Sequence, residues 1–152
     1  GAQDGSAPGG LAGEHRGESI RDIKHHHGGL VDIEFIAQYF QLSLGRNDPA
    51  LLSPTTMEAL RKLSVASALS ANDADVLMTA LKLWQGLQSI IRLIGPERLD
   101  DGQPPAGQAH ALCRVAGVET FVDLRHLVEE KAEAVRYTFT RLIEHPAGEL
   151  AE

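Results

Sequence analysis

Residues Ile23 to Gln38 read IKHHHGGLVDIEFIAQ, and this stretch decides the fold. After Gly28-Gly29 a helix-forming pattern runs from about Leu30 to Leu44. At about 100° per residue, Leu30, Ile33, Ile36, Ala37, Phe40 and Leu44 fall on one side. Val31, Phe35, Tyr39 and Leu42 make a second apolar stripe. A helix apolar on two sides is normally central in a bundle. Glu34, Gln38 and Gln41 form a polar strip between the stripes, and Asp32 lies apart, beside Ile36 and Tyr39.

Working outward, Arg46-Asn47-Asp48-Pro49 is a turn. Ser53-Pro54 reads as an N-cap followed by proline at the first helical position. The helix it opens carries Met57, Leu60 and Leu63 inward and ends between Ser64 and Ser67. Ser70-Ala71-Asn72-Asp73 fits a capping box in its Asp form. A long pattern follows, from about Ala71 to Ile94, with Leu77, Leu81, Trp84, Leu87, Ile91 and Ile94 at helical spacing. Gly95-Pro96 stops it. Glu97 to Gly107, with Asp-Asp-Gly and Pro-Pro, is a loop. A short helix, about Gln108 to Val115, ends at Gly117. The last helix runs from about Glu119 to Glu144, with a nearly heptad seam of Phe121, Leu124, Val128, Val135, Phe139 and Leu142. No alternating strand pattern occurs. The expected fold is all-α, an antiparallel bundle of about five helices over residues 20–146. Residues 1–19 are rich in Gly, Ala, Ser and Pro and read as a flexible linker or an artificial edge, and 147–152 as a frayed tail.

Composition narrows the function. A net charge of −7 argues against a nucleic-acid-binding module, which needs a basic face. The single cysteine, Cys113, precludes an internal disulfide and a thiolate metal cage. No apolar run reaches the ~18–20 residues of a membrane helix, and no signal peptide opens the chain. A cytoplasmic location is the expectation.

The chemistry concentrates at the start of the first helix. Gly28 and Gly29 allow close approach of a ligand or of another backbone. The helix N-terminus offers free N–H groups and the positive end of its dipole, and Lys24 lies just upstream. Together they suit a phosphate. Tight packing against a neighbouring element explains the glycines equally well and is the simpler reading. Asp32 and Glu34, at i and i+2, point about 160° apart, so they are not expected to work as a catalytic pair. Asp32 suits a cap, or a salt bridge to Arg21 or Lys24. Glu34 and Gln38, at i and i+4, suit a hydrogen bond to each other or to a partner domain, and the second is the preferred use. His25-His26-His27 could chelate a metal, but no further ligands complete a site. Cys113 reads as a buried, inert thiol, and Trp84 as core. No Gly-Asp-x-Asp, Walker loop or Ser/His/Asp motif is present, so the chain lacks the parts of a self-contained catalyst.

The stretch from Lys24 through Gly28-Gly29 and Asp32-Ile33-Glu34-Phe35 to Gln38 resembles the K-x-x-x-GG-x-x-DIEF-x-x-Q signature of the glutamine synthetase adenylyltransferase family. His25 to His27 fall on its variable positions. The resemblance implies a helical domain of the kind that follows each nucleotidyltransferase domain in that two-headed enzyme. One head adenylylates a tyrosine of glutamine synthetase, and the other removes AMP by phosphorolysis. The ending Val135 to Glu144, VRYTFTRLIE, favours the adenylylating head. The metal-binding carboxylates of the family lie in the nucleotidyltransferase domain. Mg and ATP are therefore expected in the parent enzyme and no cofactor in this chain, which is expected to be inactive alone. Lys24, Gly28, Gly29, Asp32, Glu34 and Gln38 would lie at the domain seam or near the phosphates, and no residue here would be catalytic. Expected partners are the upstream nucleotidyltransferase domain, glutamine synthetase and the PII signal protein. The alternatives are a non-enzymatic module binding PII or glutamine synthetase, or the helical domain of a PII uridylyltransferase-like enzyme.

Overall fold

The computed structural model describes residues 23, 26–94 and 106–145. Lys24, His25, the expected linker at 1–19, most of the expected loop at 97–107 and the tail at 147–152 lie outside the described residues; Ala106 and Gly107, expected in that loop, are already helical. Five α-helices make an all-α bundle, and among the described residues there is no strand. Helix α1 spans Leu30–Leu44, α2 Thr56–Val65, α3 Ala71–Ile94, α4 Ala106–Ala116 and α5 Phe121–Phe139.

Three of the starts have a side-chain cap. Thr120 Oγ1 accepts the Asp123 N–H at 3.1 Å and starts α5. Ser70 Oγ accepts the Asp73 N–H at 3.0 Å and starts α3, as the capping box foretold. Helix α2 corrects the expectation at Ser53-Pro54. Its cap is Thr55, whose Oγ1 accepts the Glu58 N–H at 3.3 Å. Thr55-x-x-Glu58 places an acid at the third helical position, whereas Ser53 has Thr56 there. Pro54 therefore lies outside the helix. Gly117, at φ +74°, ends α4 in the left-handed region that glycine tolerates. A five-residue π turn, Thr140–Glu144, continues α5, closed by the His145 N–H donating to the Thr140 carbonyl at 2.7 Å.

Helix α3 packs against all four other helices. It buries Leu77, Leu81, Trp84 and Leu87 at the centre of the core. Ile33 and Ile36 of α1, Leu60 and Leu63 of α2, Leu112 of α4 and Val135 of α5 close around it. Two apolar sides had suggested that α1 is central. The structure gives that place to α3 and buries only one side of α1, through Leu30, Ile33, Ile36 and Ala37. The second stripe is exposed, with Val31 at 39%, Phe35 at 48%, Tyr39 at 41% and Leu42 at 75%.

Helix α3 is also tied to the far end of the chain. Asp73, buried in its first turn, accepts a hydrogen bond from the Arg141 guanidinium in the π turn, and the two form an ion pair. The bond to Asp73 holds the Arg141 guanidinium above its usual pKa. Arg141 also lies 5.7 Å from the centroid of the Tyr137 ring.

Candidate functional site

The start of α1 is built from backbone contacts. Gly28 adopts φ +83°. Its N–H donates to Asp32 Oδ2 at 2.6 Å. Its carbonyl accepts the indole N–H of Trp84 at 3.1 Å, in the buried interior. A Cβ at Gly28 would stand 2.0 Å from the Ala132 carbonyl oxygen of α5. A Cβ at Gly29 would stand 2.0 Å from the Ile23 carbonyl oxygen. The Gly29 N–H donates to the His26 carbonyl at 2.7 Å, and the Leu30 N–H to the Ile23 carbonyl at 3.0 Å. Ile23, His26, Gly29, Trp84, Val128 and Ala132 meet so closely that no water fits among them.

The close approach that the two glycines permit is thus to the chain's own backbone. Asp32 closes the turn before α1 by accepting the Gly28 N–H, one residue outside the N-cap Gly29, and its charge in the first turn suits the helix dipole. With its carboxylate at Gly28, and with the Gly28, Gly29 and Leu30 N–H groups all bonded internally, this corner is a rigid joint. It fixes the direction of α1 relative to α3 and α5.

Glu34 and Gln38 point elsewhere and are exposed. Gln41, the third member of the polar strip, is held by the fold: its Nε2 donates to the carbonyls of Leu51 at 3.1 Å and Ser53 at 3.4 Å. Site and strip are therefore two different surfaces, one internal at Gly28, Gly29 and Asp32, one external at Glu34 and Gln38. His26 and His27 are adjacent, with the His26 ring nitrogen Nδ1 donating to the His27 carbonyl at 2.8 Å. Among the described residues no group of three or more His, Cys, Asp or Glu could hold a metal ion. Cys113 is buried, and burial, aided by the charge of Asp123, pushes its thiol pKa up.

Two features of this corner escaped the sequence. Trp84 reads as core by periodicity, and nothing in its neighbourhood announces a partner 56 residues away. Ala132 is an ordinary small residue of the last helix, yet its backbone is what Gly28 must clear. The place of Asp32 in the first turn is the one signal that pointed to a structural role at this corner.

A family model described as GlnD PII-uridylyltransferase matches residues 11–143. The chain belongs to this family. Curated relatives carry the name bifunctional glutamine synthetase adenylyltransferase/adenylyl-removing enzyme, in agreement with the Lys24–Gln38 signature. The protein of that name from Rhodopseudomonas palustris is 34% identical over 133 residues, which cover 88% of this chain and 13% of the relative. The one from Rhizobium meliloti is 37% identical over 133 residues, covering 83% of this chain and 13% of the relative. The chain thus spans about 13% of the length of the curated relatives it matches. No solved structure matches it. Among the described residues no helix is long and apolar enough to cross a membrane.

Proposed function

We propose that this chain is the helical domain of a longer cytoplasmic adenylyltransferase, and that it supports AMP transfer from ATP to a tyrosine of glutamine synthetase without being catalytic itself. The carrying observation is the rigid joint at Gly28, Gly29 and Asp32, which sets the angle of α1 where the preceding polypeptide joins the bundle. Support comes from the names of the relatives, which are glutamine synthetase adenylyltransferases matched over a small part of their length. In this reading the joint holds the bundle against the nucleotidyltransferase domain, and Lys24, next to Ile23 in the sequence, belongs to the same seam. Glu34 and Gln38 face that domain.

AMP transfer implies Mg and ATP. The described residues do not fit them: they contain no metal-holding cluster, and the Asp32 carboxylate is engaged with the Gly28 N–H. The reading therefore places nucleotide and metal in the companion domain. Regulation of nitrogen metabolism, with PII as signal, follows as part of the same proposal.

The test compares this chain with the full polypeptide. The full protein should transfer AMP from Mg–ATP to glutamine synthetase, and the isolated chain should neither transfer AMP nor bind ATP. Asp32→Ala and Lys24→Ala in the full protein should lower turnover or ATP affinity. Unchanged turnover, ATP affinity and stability in both variants would sink the seam reading. A full protein without transferase activity would sink the function.

A further inference from the structure

The exposed stripe of α1 is the surface feature that the fold leaves unexplained. Around the helix, at about 100° per residue, Gln38, Val31, Leu42, Phe35 and Tyr39 follow one another, and Glu34 borders Gln38. The stripe runs about 16 Å along the helix, at 1.5 Å per residue. Phe35 is braced from below by Phe139 of α5, with ring centroids 5.7 Å apart, and Tyr39 by Phe40, at 5.5 Å edge to face. The two exposed aromatic rings are thus already held in place. Elsewhere exposed large apolar side chains are scattered, at Leu52, Val65, Leu93, Val115, Val122 and Tyr137. Among the described residues no other helix exposes more than two.

We infer that Val31, Phe35, Tyr39 and Leu42 form the apolar centre of the contact with the polypeptide that precedes this bundle in the longer protein, with Glu34 and Gln38 as its polar rim. The inference rests on the proposed function and names the contact residues that reading leaves open. Apolar and aromatic side chains at the centre with polar ones at the edge is the anatomy of a protein interface. Pre-ordered aromatic rings are the usual anchors of such contacts.

Area and position select the occupant. The four side chains expose on the order of 400 Å², about half of the ~800 Å² per partner that a stable contact between free proteins needs. A second copy of this chain is therefore a poor occupant. A tethered domain needs less, because the linkage supplies a high effective concentration. The preceding chain is attached at the correct end: it reaches α1 through Ile23 and Gly28, and Val31 is in the first turn beyond that joint. The relatives are far longer than the matched region, and the proposed function places the companion domain before the bundle.

Hydroxyl-radical footprinting of the isolated 152-residue chain and of the full polypeptide tests this directly. Oxidation at Phe35, Tyr39 and Leu42 should fall at least about three-fold in the full polypeptide, since the centre of an interface is cut off from water. Leu93 and Val122 should react alike in both. Phe35→Ser with Leu42→Ser should restore Tyr39 reactivity in the full polypeptide and leave the helix content of the isolated chain unchanged. Equal rates at all sites in both proteins overturn the inference. Concentration-dependent protection in the isolated chain overturns it too, in favour of a second copy. The footprint and the AMP-transfer assay fail separately. An active protein with a bare stripe refutes the contact alone, and a protected stripe in an inactive protein refutes the function alone.

Discussion

The indole N–H of Trp84 donates to the carbonyl oxygen of Gly28 at 3.1 Å, joining residues 56 apart in the chain. Trp84 is 1% exposed, and the Gly28 carbonyl has its partner in the interior. Trp84→Phe removes the donor and leaves a ring in its place. The carbonyl then lacks its partner, at a cost of about 1–3 kcal/mol. Trp84→Ala adds a cavity and should cost about 3–5 kcal/mol. Urea unfolding followed by circular dichroism measures both. If Trp84→Phe were neutral, the bond would not be holding the start of α1.

Three glycines separate backbone strain from steric contact. Gly28→Ala meets both, because φ is +83° and the new Cβ would press on the Ala132 backbone. The expected loss is more than about 3 kcal/mol, the sum of a left-handed residue and an overpacked contact. Gly117→Ala has φ +74° and open space, so only the conformational part remains, about 1–2 kcal/mol. Gly107→Ala lies in α4 with nothing nearby and no positive φ, and should stabilise by about 0.5–1 kcal/mol. Thermal unfolding of the three variants gives the order. Equal losses at Gly28 and Gly117 would show that α5 yields to the added methyl.

Local signals account for what was legible in the sequence. The span of α1, the Ser70 cap, the span of α3 and the glycine after α4 all follow from spacing, capping and chain-breaking residues. The start of α2 was misplaced because Ser53-Pro54 competes with Thr55-x-x-Glu58, and the acid at the third position decides it. The rank of the helices was not legible. Two apolar stripes on α1 look alike in projection, and only the packing of α3 against the other four helices shows which one is buried. Of the candidate site, a structural role for Asp32 at the helix start was legible from its place in the first turn. The partners of Gly28 were not, because Trp84 and Ala132 are distant in sequence and carry no motif.

Asp73 and Arg141 should respond unequally to truncation. Asp73 is buried, with 7% of its side chain exposed, whereas Arg141 keeps 40%. Arg141→Ala leaves a buried carboxylate without its charged partner and should cost about 2 kcal/mol, less than for a fully buried pair because solvent reaches the site. Asp73→Ala frees an arginine that water can serve, so its loss should be smaller. The double variant should be less destabilised than the sum of the two, since the surviving partner no longer stands alone. Denaturant unfolding of the four proteins completes the cycle, and strict additivity would mean that the pair contributes no coupling.

Cys113 makes the stability of the bundle depend on alkaline pH. Burial first, and the nearby charge of Asp123 second, raise its thiol above the ordinary value. The folded state therefore favours the neutral thiol. Its contribution is fully present below the unfolded pKa of about 8.5 and is lost as pH rises through the raised folded value. Stability should accordingly fall above about pH 8, and Cys113→Ala should flatten that decline. The same shift makes the thiol a poor nucleophile, because the thiolate is the reactive form. Iodoacetamide should label native Cys113 far more slowly than the urea-unfolded chain at the same pH. Mass spectrometry over a pH series reads both forms, and rapid native labelling at neutral pH would show that the packing around Cys113 opens to solvent.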